Sequence, residues 1–360
     1  MTDLNTVAKQ FRDFGNRVNR LKQIEAELAS LDTKGFEAEV KTIQSKLKKP
    51  QYVDEVEKEL NKLKYKLPSE KPAAKVAEKP ADVPSGSKGP DLGAEISKKY
   101  EVMEILGRGG YSVVYKAKRR SDGLIVAIKI PHVDQFATVE PGVFIHEAEL
   151  WARLHHPNIV AVFDYGERPF PWLCMEYMEK GSLKQRIGHL KLKDALDIAI
   201  QLCDALYESH HLGVIHRDIK PANVMFNSDD KPKLADWGLG KMMIEATEET
   251  QYEGTPAYSS PEQVKPDEFG GVGWWTDIYQ VGALIYQMVT GEIPFKGQNP
   301  YELALSIAKG EFVKPSEIKP GLPKELDKIL AQCLAKKKED RYKDIILLKA
   351  ALEDVKGKIK

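Results

Sequence analysis

Near the middle of this 360-residue chain, polar residues with chemical potential are crowded between apolar flanks. The run Val214-Ile215-His216-Arg217-Asp218-Ile219-Lys220-Pro221-Ala222-Asn223-Val224 packs an aspartate, a lysine and an asparagine into one short loop. Leu234-Ala235-Asp236-Trp237-Gly238 follows with a second carboxylate. A carboxylate, a cation, an amide oxygen and another carboxylate can orient a hydroxyl, neutralise a transferring phosphoryl group and hold hard metal ions. Upstream, Ile105-Leu106-Gly107-Arg108-Gly109-Gly110-Tyr111-Ser112-Val113-Val114-Tyr115 is a glycine-rich turn between strand-like runs. Glycines let backbone N–H groups approach phosphate oxygens that a Cβ would obstruct. Taken alone the cluster reads as an ordinary turn, and its flanking strands differ from the dinucleotide type, which runs straight into a helix. Ile125-Val126-Ala127-Ile128-Lys129 places one lysine in a β-branched strand. That lysine either meets an anion or lies on an edge and snorkels to water. Glu147, in the helical pattern Ile145–Leu154, is either a solvated glutamate or the group that holds Lys129 against phosphates.

The elements that must position these residues divide the chain in three. Over residues 1–67, Phe11, Phe14, Val18, Leu21, Ile24, Leu28 and Leu31 recur at threes and fours, and Gly35 and Pro50 interrupt the pattern. Val53, Val56, Leu60, Leu63 and Leu67 then alternate threes and fours, the spacing of a coiled-coil seam. Stripes this narrow fit either a homodimer or partner-docking module, or a hairpin packed on itself or on the body of the protein. Residues 68–97 are rich in Pro, Lys, Glu and Ala and read as a flexible linker. Residues 98–356 have the composition of a packed domain.

The order Gly107-x-Gly109-x-x-Ser112-x-Val114, Val126-Ala127-Ile128-Lys129, a helical Glu147, the His216–Asn223 loop, Asp236-Trp237-Gly238 and Ser260-Pro261-Glu262 resembles the eukaryotic-type (Hanks-type) Ser/Thr protein kinase family. The resemblance covers about Tyr100 to the C-terminus. It implies an α+β, bilobal fold: a small antiparallel-sheet lobe with one major helix, a larger helical lobe, and ATP between them. Carried over, Gly107, Gly109 and Ser112 cover the ATP phosphates. Val114, Ala127 and Met225 sandwich the adenine, and Glu176 and Met178 offer backbone contacts beyond Met175. Lys129 binds the α- and β-phosphates, oriented by Glu147. Asp218 takes or orients the substrate hydroxyl proton, and Lys220 steadies the γ-phosphate. Asn223 and Asp236 hold Mg2+, with Mn2+ as substitute. Glu262 pairs with Arg341, and Asp277 braces the catalytic loop. The implied activity is ATP-dependent transfer to Ser or Thr of protein substrates, with autophosphorylation. A pseudokinase scaffold commonly lacks one of Lys129, Asp218, Asn223 or Asp236, and a small-molecule kinase generally lacks a segment like Gly254–Gln263.

This chain also departs from the family pattern. Ser112 replaces a third glycine, and Trp237 replaces a phenylalanine in a side-chain column with Trp151, Val162 and His216. The indole N–H needs a partner, and the larger ring is expected to keep Asp236 turned into the site. In the activation segment, Arg217 and Lys241 match receptors for a phosphothreonine, yet Gln251 stands at the matching position. A phosphate on Thr247, Thr250 or Thr255 is one way to order this segment, and permanent charge from Glu249 or Glu253 is another. Ser182, Ala222 and Gln287 stand where arginine-directed kinases carry acids, which argues against strong selection for arginine just upstream of the target.

Lysine plus arginine and aspartate plus glutamate both number 54, which gives no global pull toward nucleic acid or an anionic membrane. Cys174, Cys203 and Cys333 lack CxxC spacing and read as reduced buried thiols. The polar N-terminus has no signal-peptide core, and the apolar run Val281–Tyr286 is too short to span a bilayer, so a cytoplasmic protein is expected. The pairs His155-His156 and His210-His211 lack a nearby acid or cysteine at ligand spacing, and Lys336–Lys338 reads as a solvated loop.

Overall fold

The computed structural model describes residues 92–109, 112–131, 141–168, 170–237 and 256–359, with Val40 besides. The expected N-terminal module, linker residues 68–91, and the activation segment from 238 to 255 lie outside the described residues, Val40 excepted. Helix α1 (Ala94–Lys99) leads into β1 (Tyr100–Arg108), β2 (Ser112–Arg119) and β3 (Ile125–Pro131), followed by α2 (Pro141–Ala152), β4 (Val162–Gly166) and β5 (Trp172–Glu176). The strands form one antiparallel sheet in the order β1-β2-β3-β5-β4.

The alternation of β3 separates two cores. Val126, Ile128 and Ile130 face a cluster with Ala117, Trp172 and Cys174, while Ala127 faces the main core with Leu173 and Met175. Lys129, two residues on from Ala127, shares that second face. Its strand is interior to the sheet, so the edge-lysine reading does not hold. Residues 92–97 also differ from their expected place in the linker. Leu92 and Ile96, four apart on one face of the turn, are buried against the sheet beside Tyr100.

The larger lobe contains α3 (Leu192–His211), β6 (Val224–Phe226), β7 (Pro232–Leu234), α4 (Pro261–Val264), α5 (Pro266–Phe269), α6 (Trp274–Thr290), α7 (Pro300–Lys309), α8 (Pro315–Ile318), α9 (Lys324–Cys333) and α10 (Ile345–Lys358). Helix α6 is buried continuously from Thr276 to Tyr286, the behaviour of a helix apolar nearly all round. At Gly282 a Cβ would lie 2.4 Å from the Cβ of Cys333, so glycine there permits close packing of α6 on α9. Glu262 and Arg341 form a buried bidentate pair, Nη1 to Oε1 at 2.8 Å and Nη2 to Oε2 at 2.9 Å, as expected. Thr276 Oγ1 donates to the same carboxylate at 2.8 Å. Cys174, Cys203 and Cys333 are free and buried. Among the described residues, no helix is long and apolar enough to cross a membrane.

Candidate active site

The loop 216–223 is held from below by polar side chains of α6. Fully buried Asp277 accepts from the backbone N–H groups of His216 at 2.9 Å and Arg217 at 2.8 Å, and from the His210 ring at 2.7 Å. One turn on, Gln280 accepts from Ile219 N at 2.8 Å and donates to Arg217 O at 2.9 Å. Gln263 also donates to Arg217 O, at 2.8 Å. These bonds hold Arg217 at φ 68°, a left-handed conformation that costs about 1–2 kcal/mol for a residue with a Cβ.

On this platform the polar residues converge. Asp218 Oδ2 lies 2.8 Å from Lys220 Nζ and accepts from Asn223 Nδ2 at 2.9 Å. Asn223 Nδ2 also donates to Asp218 O at 2.7 Å, which turns its Oδ1 away from Asp218 as an acceptor. Ala235 N donates to Asn223 O at 2.8 Å and so couples the loop to the Asp236 segment. His216 bridges the same two segments: Nε2 donates to Ala235 O at 2.9 Å and Nδ1 accepts from Asp218 N at 3.2 Å. That pattern needs the neutral ring, and burial lowers the His216 pKa accordingly.

Asp236 adopts φ 64° and meets Lys129 Nζ at 2.7 Å. Burial pushes its carboxyl pKa upward, but the charge and hydrogen bond of Lys129 outweigh this and bring it below the usual value. Trp237 is buried, packs against His216 with ring centroids 4.7 Å apart and planes tilted by 56°, and donates Nε1–H to Leu234 O at 3.1 Å. The indole has its partner, and Asp236 is turned toward Lys129. Glu147 sits partly buried on α2. Lys129 Nζ is paired with Asp236.

Gly107 lies opposite Val114 near the end of β1, and Gly109 N donates to Ser112 O at 2.8 Å. Val114 is the cross-strand partner of Lys129, so Val114, Ala127 and Lys129 line one face of the sheet. Ala127, Met175 and Met178 belong to the main core, with Val114 and Met225 half-buried against it. Beyond Glu176, Gly181 O accepts from Phe226 N at 2.9 Å, which lays the segment along β6.

Gln280 and Gln263 were not singled out from the sequence, and His210 was read there only as one of a histidine pair. The available signal was Gln280 itself, a polar residue three after Asp277 in an otherwise apolar helix. Gln287 Oε1 accepts the Tyr258 hydroxyl. Of the paired histidines, His210 bonds Asp277, while the others make local contacts: His155 Nδ1 with Arg153 O, His156 Nδ1 from Asn158 N, and His211 stacked on Tyr207. Lys336 and Lys337 are exposed, as a solvated loop predicts, and Lys336 and Lys338 lie 5.2 Å and 4.7 Å over the rings of Phe269 and Trp275.

The family model described as "Protein kinase domain" matches residues 100–352. The chain is 34% identical over 271 residues to serine/threonine-protein kinase PknB of Mycobacterium leprae, a match covering 71% of this chain and 43% of that protein. PknB of Mycobacterium tuberculosis is 34% identical over 274 residues, covering 72% of this chain and 43% of the relative. A probable serine/threonine-protein kinase of Clostridium acetobutylicum is 34% identical, covering 74% of this chain and 41% of the relative. This chain thus spans less than half the length of these curated relatives. The crystal structure of Rad53 1-466 in complex with AMP-PNP superposes with a TM-score of 0.60 at 24% identity, over 71% of this chain and 65% of that one, a likeness of fold.

Proposed function

This chain belongs to the protein kinase family, and from that premise we propose that it is an ATP-dependent protein serine/threonine kinase. The observation that carries the reading is the pair of linked clusters, Lys129–Asp236 at 2.7 Å and Asp218–Lys220–Asn223 at 2.8–2.9 Å, bridged through Ala235 N. Every charged role in phosphoryl transfer has a candidate there.

Asp218 accepts the proton of a Ser or Thr hydroxyl while the new O–P bond forms and the bond from the γ-phosphorus to its bridging oxygen breaks, leaving ADP. Lys220, beside it, offsets charge on the transferring group. Lys129 binds the α- and β-phosphates, and Gly107, Gly109 and Ser112 close over them. Val114, Ala127 and Met225 sandwich the adenine, whose edge meets the backbone at Glu176 and Met178. Glu147 is the proposed orienting partner of Lys129, whose ammonium has three donors to share among carboxylates and phosphate. The Asp236 carboxylate and Asn223 Oδ1 are hard oxygen donors that fit Mg2+ or Mn2+. That ion would supply positive charge to the phosphate oxygens. The substrate is a protein, the location cytoplasmic, and residues 1–67 the region for self-association or partner docking.

Asp218→Asn provides the test, because it keeps the shape of the side chain and removes the proton acceptor. Transfer to a mixed panel of protein substrates should fall by about 100-fold or more with the melting temperature retained. Equal transfer by the variant and the native protein would refute the assignment.

A further inference from the structure

Lys233 takes no part in the chemistry above, yet it joins two walls of the nucleotide site. It stands on β7 directly opposite Met225 on β6, so the two side chains share one face of the hairpin. Its Nζ lies 2.7 Å from Glu176 Oε2, and the two side chains are 14% and 22% exposed. The same carboxylate oxygen accepts from Ala161 N at 3.3 Å, while Glu176 N donates to Ala161 O at 2.9 Å.

The hairpin itself is fastened to the segment before β4. Val160 N donates to Leu234 O at 3.0 Å, Leu234 N to Asn158 O at 2.8 Å, and Asn158 Nδ2 to Pro232 O at 2.8 Å. Lys233 is therefore presented from an anchored strand, and the Glu176 carboxylate is turned onto it. Without the ammonium, a largely buried carboxylate keeps only the Ala161 N–H. Its readiest relief is rotation toward water, which pulls on the end of β5 where adenine would meet the backbone.

We propose that Lys233 is a positioning residue for the nucleotide: by holding Glu176 from the hairpin face that carries Met225, it fixes the spacing between the backbone edge and the apolar floor of the adenine site. The proposal rests on the ATP-site reading above. Its consequence is specific, because ATP and ADP affinity should depend on Lys233 while phosphoryl transfer and protein-substrate binding should not.

The test uses the full chain with Lys233→Met, Lys233→Arg and Glu176→Gln. In Lys233→Met the KM for Mg-ATP and the calorimetric Kd for ADP should both rise about tenfold, with kcat and the protein-substrate KM changing far less. Lys233→Arg should restore most of the affinity. Combining Lys233→Met with Glu176→Gln should add little to either alone. Unchanged ADP affinity in a Lys233→Met protein that melts with the native one would overturn the proposal. So would parallel losses in kcat, in both KM values and in melting temperature, since these mark general destabilisation. A native protein that binds ADP but transfers no phosphate would sink the kinase reading alone, and the ADP measurements would still decide for or against Lys233.

Discussion

Lys129 and Asp236 lie 107 positions apart, yet their charged atoms meet at 2.7 Å, and each has another partner in the proposed reaction. The ammonium is assigned to phosphate oxygens and the carboxylate to a divalent ion. It follows that Asp236→Asn should abolish most of the gain in ADP affinity produced by Mg2+, read by calorimetry with and without the metal. An undiminished gain would remove Asp236 from the metal site. His216 makes a separate claim about pH. Burial holds its folded pKa below the ordinary 6.5. Below that pH the unfolded chain takes up a proton that the native ring resists, so the unfolded state binds more protons and stability rises with pH. The stabilisation is present above about 6.5 and is lost as pH falls toward the folded value. His156, also depressed by burial, adds to the same slope. Urea midpoints should decline from pH 7.5 to 5.5, and His216→Phe should flatten the decline. The carboxylates with lowered pKa values, Asp236 and Glu262, act in a window further down.

Helix α6 shows how one element positions chemistry without supplying it. Its apolar residues fix it in the core, and that burial makes the few polar groups on it rigid donors and acceptors. Asp277 was legible from the sequence through the resemblance, whereas Gln280, at the next turn, was not. The Glu262–Arg341 pair stakes out a second fixed point, since Arg341 also donates to Ala335 O at 2.9 Å and Trp275 O at 3.0 Å. Arg341→Gln leaves Glu262 buried without its cation and should cost about 3–5 kcal/mol of stability in urea unfolding. A change below 1 kcal/mol, on the order of a surface pair, would mean that the pair is effectively solvated. At the other end, α1 was concealed by the composition around it. Proline, lysine, glycine and serine make up most of residues 80–99, and only the four-residue spacing of Leu92 and Ile96 marked a packed turn. Ile96→Ala should destabilise the small lobe by about 2–5 kcal/mol, detectable as a lower melting temperature.

For the whole molecule, the site was most readable where its chemistry is contiguous. The loop 216–223 and the Asp236 segment contain their reactive groups in short windows, bounded by the strands and loops that hold them. Of the contacts that close across the chain, the resemblance gave Glu262–Arg341 and the bracing by Asp277, and others left no such trace. Asp277 meets the His210 ring 67 positions away, and Lys233 meets Glu176 57 positions away. Spacing along a chain predicts which residues share a helix face or a strand face, but not which loops a folded core brings together. The meeting of Lys129 with Asp236 is another contact that spacing along the chain does not give. The most direct measurement of the central claim is mass-spectrometric mapping of the phosphorylated product after incubation with Mg-ATP, beside Asp218→Asn. The expected result is phosphoserine or phosphothreonine on a protein, this chain included, absent from the variant. ATP consumed with phosphate only on water or a small molecule, or nucleotide bound with no phosphoprotein formed, would contradict it.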